Sequence, residues 1–181
     1  MKLVILDRDG VINHDADERT YVKSADEWIP IPGSLNAVAA LNRQGYTVCI
    51  ASNQSGLARG KFDLNALEAI HGKMRDALKQ VGAHVDGIFY CPHAPEADCD
   101  CRKPRPGLLR QISRQFGVPL TNVPFIGDSQ RDLDAAAAVG ARPILVLTGN
   151  GTKTKQMDRL PPGTEVYGNL ADAVDALVGG R

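Results

Sequence analysis

Apolar residues in this chain fall in short unbroken runs, separated by longer stretches with helical spacing. Leu3-Val4-Ile5-Leu6 does not alternate with polar residues, the pattern of a strand buried on both faces of a parallel sheet. Comparable runs are Tyr46 to Ser52 ("YTVCIAS"), Gly87 to Cys91 ("GIFYC"), Val123 to Gly127 and Arg142 to Gly149. Between them, Pro32-Gly33-Ser34 opens a predicted helix to about Gln44, and Asp63 caps another to about Val81. A third runs from Pro106 to Phe116 and an alanine-rich fourth from Asp132 to Val139. Thr164 to Val178 closes the chain with a short strand and a helix, and Lys153 to Gly163 reads as a linker. Strands alternating with helices predict an α/β fold: three layers around a mostly parallel sheet, with 1–181 as one domain.

The polar residues at the strand ends change the picture. Asp7 and Asp9 follow the first strand, Ser52 and Asn53 end the second, Cys91 and His93 the third, and Gly127 and Asp128 the fourth. Right-handed βα connections gather such ends along one edge, where ligands bind in open α/β sheets. Asp7 and Asp9, two residues apart in extended backbone, project to one side, and Gly10 permits a sharp departure. A polar turn after a strand is the ordinary alternative for this pair alone. Carboxylates gathered there repel unless a cation lies between them, and hard oxygen ligands suit Mg²⁺. Lys103, just ahead of the helix opened by Pro106, brings a cation to a bound anion. Together these residues read as a phosphoryl-transfer site with a carboxylate nucleophile.

Composition removes other classes. Basic and acidic residues balance at 21 each, so no overall field favours nucleic acid or an anionic membrane. The apolar run ahead of Asp7 is only four residues, Leu3 to Leu6, too short for a signal-peptide core, and no apolar run approaches a membrane span, so a cytoplasmic location is expected. The chain is expected to work as a monomer.

Four cysteines in a reducing compartment point to metal ligands or core thiols. Cys91-x-His93, five intervening residues, then Cys99-x-Cys101 is the ligand set of a closed structural Zn²⁺ site, although the one-residue spacers are shorter than usual. Its alternative is an exposed cysteine-rich loop. Zinc there would order the loop and fix the backbone leading into Arg102 and Lys103. Cys49, inside an apolar run, reads as a core thiol. His14, His71 and His84 have no evident partner and read as structural or surface residues.

The ordered motifs "DRDG", "SNQS", "RKP" and "GDSQRD", spanning Asp7 to Asp132, resemble the haloacid dehalogenase superfamily of phosphatases. That resemblance implies a Rossmann-like fold without a large cap domain. It implies Asp7 as the nucleophile forming an aspartyl phosphate, and Asp9 as the acid that protonates the leaving oxygen and then deprotonates water. Asp9 would stay protonated near neutral pH through its anionic neighbour Asp7 and partial desolvation. Ser52 and Lys103 would bind the transferring phosphoryl oxygens. Mg²⁺ would be held by Asp7, Asp128 and the backbone carbonyl of Asp9. Asp132 either orients Lys103 or a metal-bound water, or is a solvated acid at a helix start.

The "CPH...CDCRKP" loop narrows the likeness to the subfamily of histidinol phosphatases and heptose-bisphosphate phosphatases. "RKPRPGLL" is similar to the heptose enzymes, whereas the short gap between His93 and Cys99 is similar to the histidinol enzymes. The expected substrate is a heptose bisphosphate, with histidinol phosphate as the alternative. The substrate-binding residues implied are Asp15, Ala16, Asp17 and Glu18, then Ser52, Asn53, Gln54 and Ser55, then Arg102 and Lys103. Arg102 would bind a second anion, unless it pairs with Asp98 or Asp100 of the zinc loop. A non-catalytic binding protein on the same fold is the remaining alternative, opposed by the complete set of Asp7, Asp9, Ser52, Lys103 and Asp128.

Overall fold

The computed structural model describes residues 1–15 and 21–180. Six strands, β1 (Lys2–Leu6), β2 (Tyr46–Asn53), β3 (Gly87–Cys91), β4 (Pro124–Gly127), β5 (Arg142–Val146) and β6 (Glu165–Tyr167), form one sheet in the order β3-β2-β1-β4-β5-β6. Every pairing is parallel. Helices α1 (Ser34–Arg43), α2 (Leu64–Gln80), α3 (Gly107–Phe116), α4 (Gln130–Ala137), α5 (Gly151–Gln156) and α6 (Leu170–Gly179) connect or follow the strands. The chain runs outward from β1 through β2 to β3, returns to β4 on the other side of β1, and runs outward again. The β1/β4 boundary is therefore the topological switch point.

The unbroken apolar runs are explained by cover on both faces. Val4 and Leu6 pack with Val48, Ile50 and the buried residues of α1, α2 and α6. Leu3 and Ile5 pack oppositely with Cys49, Ala51 and the buried residues of α3 and α4. Cys49 is fully buried, as a core thiol should be.

Helix boundaries follow the expectation except in two places. Asp63 caps α2, its carboxylate accepting from the Ala66 amide at 2.8 Å. The fourth helix starts at Gln130 rather than Asp132, because the Asp132 carboxylate reaches back to the Ser129 amide at 3.1 Å in a capping box that begins the helix two residues earlier. The stretch read as a linker from Lys153 begins inside α5. That helix is too polar to show apolar periodicity, and Thr154 holds it to the protein by donating to the Asp128 carbonyl at 2.8 Å. No helix among the described residues is long and apolar enough to cross a membrane.

Candidate active site

The carboxyl ends of β1, β2 and β4 open onto a cleft of about 430 Å³. Asp7, Asp9, Asn53, Lys103, Asp128 and Asp132 all line it. Asp7 leaves β1 with its amide donating to the Ile126 carbonyl at 2.9 Å, so the β1/β4 pairing itself fixes the first acid. Gly10 has φ +81°, and a Cβ there would collide with the Asp128 carboxylate. The turn after β1 thus requires glycine both for its backbone and for the closeness of the second acid.

Lys103 is the hub. Its side chain is 2% exposed, and Nζ reaches Asp132 Oδ1 at 2.6 Å, the Ala51 carbonyl at 2.7 Å and Asp7 Oδ1 at 3.0 Å. Burial alone would lower its pKa, but Asp132 and Asp7 hold it above the ordinary lysine value. Asn53 pins the lysine backbone, accepting from the Lys103 amide at 3.0 Å and donating to the Lys103 carbonyl at 3.1 Å. Asp132 is 1% exposed, so the solvated-acid alternative does not hold. Its Oδ2 accepts from the Asp128 and Ser129 amides at 3.2 and 3.1 Å.

Asp7, Asp128 and Asp132 bring carboxylate oxygens within 4.8 Å of one another. Burial, Asp132 and Asp9 push Asp7 up to about 7 against the pull of Lys103. Burial, Asp7 and Asp132 raise Asp128 well above the carboxylate range, although the Asn150 amide donates to it at 2.8 Å. Such a cluster is short of positive charge, which is the condition a divalent cation on oxygen ligands relieves.

Asp9 departs from its expected state. Burial would raise its pKa, but the Arg8 guanidinium and donors from Asn13 and Gln54 bring it below its ordinary value. Arg8 Nη2 lies 2.9 Å from its Oδ1, and Gln54 donates to its Oδ2 at 3.1 Å. Asp7, expected to keep it protonated, is not among the groups that set its pKa. Arg8 is fully buried and its Nη1 lies 3.3 Å from Nε2 of His71. His71, expected to have no partner, therefore has one: burial and Arg8 lower its pKa to about 4, leaving a neutral ring to accept.

The remaining predicted residues divide by what they touch. Ser52 is buried and accepts from Gln54 Nε2 at 2.7 Å. Gln54, expected at the substrate, is instead buried and spends its amide on Ser52 and Asp9. Ser55 lines the cleft, 3.2 Å from the Tyr21 hydroxyl, and Asp15 lines it near Asn150. Ala16, Asp17 and Glu18 lie outside the described residues. Arg102 lines the cleft and does not pair with Asp98 or Asp100; Arg105 takes Asp98 at 2.5 Å. Sequence reasoning missed Arg59, Arg131 and Asn150 on the same cleft. The signal was present for Arg131, which sits between the two acids of "GDSQRD".

Beside the cleft, Cys91, His93, Cys99 and Cys101 direct Sγ and Nδ1 atoms toward one point, all within 4.8 Å. Separations run from 3.0 Å (Cys91 to Cys101) to 3.6 Å (Cys99 to either other sulfur), with 3.2 Å from His93 Nδ1 to Cys101. Tetrahedral zinc places thiolates about 3.8 Å apart and a thiolate about 3.5 Å from an imidazole nitrogen, so this cluster is close to that size.

A family model described as HAD-hydrolase-like matches residues 100–173. The chain is 56% identical over 178 residues to a D-glycero-beta-D-manno-heptose-1,7-bisphosphate 7-phosphatase of Bordetella bronchiseptica, covering 98% of each. It is 52% identical to the enzyme of that name from Pseudomonas aeruginosa, covering 97% of each. The crystal structure of the B. bronchiseptica D,D-heptose 1,7-bisphosphate phosphatase complexed with magnesium and phosphate superposes with a TM-score of 0.97, at 55% identity and full coverage of both chains.

Proposed function

The chain belongs to the HAD-like family of the D-glycero-beta-D-manno-heptose-1,7-bisphosphate 7-phosphatases, and on that premise we propose that it removes the 7-phosphate of this sugar bisphosphate, leaving heptose 1-phosphate. Histidinol phosphate, the alternative left open by the spacing of the cysteine loop, is not favoured by relatives of this identity. The observation that carries the reading is the charge pattern on the cleft floor. One buried lysine is bonded to Asp7 and Asp132, and Asp128 stands beside them.

Asp7 attacks phosphorus in line with the departing C7 oxygen, forming an aspartyl phosphate. Lys103, already 3.0 Å from the nucleophile, binds a phosphoryl oxygen and offsets its charge, and Ser52 donates to another. Asp132 orients that lysine. Asp9 hands a proton to the leaving oxygen and then takes one from the attacking water. With Arg8 beside it, Asp9 is poised for the second task; the charge of a bound phosphate raises its proton affinity for the first. Arg8, Gln54 and Asn13 position Asp9, and Asn53 positions Lys103.

Asp7 and Asp128 would hold Mg²⁺, with the Asp9 carbonyl as a third ligand. Bound there, the cation supplies charge neutralisation between carboxylate and phosphate. Cys91, His93, Cys99 and Cys101 would hold Zn²⁺, ordering the segment that enters Arg102 and Lys103. We take 1–181 to work as one catalytic domain. The test is a phosphate-release screen with Mg²⁺ on heptose 1,7-bisphosphate and histidinol phosphate. The expected result is preference for the heptose; preference for histidinol phosphate, or no turnover of either, would overturn the reading.

A further inference from the structure

Outside the four sequence motifs, the segment that follows β5 closes on the acids at the switch point. Thr148 Oγ1 donates to the Gly10 carbonyl at 2.6 Å, and the Asn150 amide donates to Asp128 Oδ2 at 2.8 Å. Thr154, within α5, donates to the Asp128 carbonyl at 2.8 Å, so Asp128 is held at both its backbone and its side chain. Gly149 lies between these contacts with φ +57°. A Cβ there would collide with Asp128 Oδ2 and stand 2.6 Å from Gly10 Cα, and a Cβ on Gly10 would collide with the same oxygen. Asp128 Oδ2 is therefore enclosed between two glycines, and a side chain at either would displace it.

Such contacts decide which oxygen a cation can take. With Oδ2 bonded to an amide and walled by glycine, Asp128 has Oδ1 left to offer a metal, and a carboxylate hydrogen bonded on one oxygen presents the other in one orientation. The turn after β1 is fixed in the same way. The Gly10 amide donates to the Asn13 carbonyl at 2.8 Å and the Gly10 carbonyl accepts from Thr148. The Asp9–Gly10 peptide, whose carbonyl is the third oxygen assigned to Mg²⁺, is thereby held in one orientation. Thr152, on the same segment, donates instead to the Leu147 carbonyl at 3.3 Å. We infer that Thr148 and Gly149 are positioning residues for Mg²⁺, aligning the Asp128 carboxylate and the Asp9 carbonyl from behind so that the cation meets its oxygens already placed. The inference rests on the reading of Asp7, Asp128 and the Asp9 carbonyl as the Mg²⁺ ligands. It gives a role to the strand-end sequence "TGN" (148–150), which no motif singled out.

The test measures Mg²⁺ binding directly. Full-length protein is dialysed free of Mg²⁺ without chelator, so that the cysteine loop stays as purified, and is titrated with magnesium chloride by isothermal calorimetry. Thr148→Val keeps the side-chain shape and removes the donor, whereas Gly149→Ala drives a methyl group onto Asp128 Oδ2. Each should weaken Mg²⁺ binding by about tenfold to a hundredfold, the range for losing a group that orients a metal ligand. The Mg²⁺ concentration for half-maximal phosphate release should rise in parallel. Thr148→Ser returns the hydroxyl and should recover most of the affinity. Thr152→Val, the same substitution on the same segment, should bind Mg²⁺ as wild type does. If Gly149→Ala folds poorly, the valine and serine variants of Thr148 carry the measurement alone. Unchanged Mg²⁺ affinity in Thr148→Val, no recovery in Thr148→Ser, or an equal loss in Thr152→Val would overturn the positioning role and leave the phosphatase reading intact. Wild-type protein that releases phosphate from heptose 1,7-bisphosphate without binding Mg²⁺ would instead overturn the ligand assignment beneath it.

Discussion

Replacing Lys103 with Met tests the electrostatic design of the cleft apart from its chemistry. Methionine occupies most of the space of the lysine stem, so the cavity penalty is small and the loss is mainly of charge. Asp132 loses its 2.6 Å partner and Asp7 its 3.0 Å partner, while Asp128 remains beside both. Breaking one buried pair and stranding the other charge costs about 3–5 kcal/mol, and that is the expected loss at pH 8 without metal. The sign of the pH dependence follows from Asp7, whose folded pKa is raised to about 7 from 3.8. The folded state therefore holds its proton more tightly, and the associated stability is full below about 4 and lost as the pH rises through 7. Removing Lys103 raises that proton affinity further. The penalty should then shrink by at least about 2 kcal/mol between pH 8 and pH 5, where the acids can neutralise themselves. Asp132→Asn in the same background removes the stranded charge, so the double variant should be more stable than the sum of the singles by about 2 kcal/mol. Urea unfolding followed by circular dichroism in EDTA measures all four proteins. A loss under about 1 kcal/mol at pH 8, an equal loss at both pH values, or additivity within about 0.5 kcal/mol would refute the account.

Two further expectations follow from the site. Asp7→Asn should abolish turnover with the fold retained, and a residual rate above about a thousandth of wild type would remove Asp7 as nucleophile. Cys99→Ser should lower bound zinc in elemental analysis and cut turnover by loosening the approach to Lys103; full activity in metal-depleted loop variants, or turnover that follows zinc instead of Mg²⁺, would end the structural role.

The layout of the fold was legible because its cause is local. A run such as Leu3 to Leu6 can lack polar positions only where both faces are covered, and here both are. Gly10 after a strand and Asp63 before a helix carry their geometry in their own backbone preferences. α5 was missed for the converse reason. Its residues have little apolar rhythm, and the contacts that hold it include the Thr154 hydroxyl on the Asp128 carbonyl, 26 residues away in sequence, and the Asn150 amide on the Asp128 carboxylate.

The same distinction separates the parts of the site that motifs revealed from those they did not. Position at a strand end and side-chain type were enough to bring Asp7 and Asp128 to one place, since parallel βα topology leaves those ends nowhere else to go, and Lys103 joins them from the loop ahead of α3. The protonation of Asp9 was misjudged because its nearest acid in sequence is not its controlling neighbour. That neighbour is Arg8, the residue between the two acids, which turns its guanidinium back onto Asp9 and is itself braced by His71, 63 residues further along the chain. Gln54 moves from substrate ligand to brace on the same logic, since an amide already shared between Ser52 and Asp9 has no donor left for a sugar. A motif names the groups that meet a reacting atom. The buried contacts that set their charge come from residues whose sequence neighbours carry no sign of it, so the protonation state of an acid such as Asp9 follows from its partners in space.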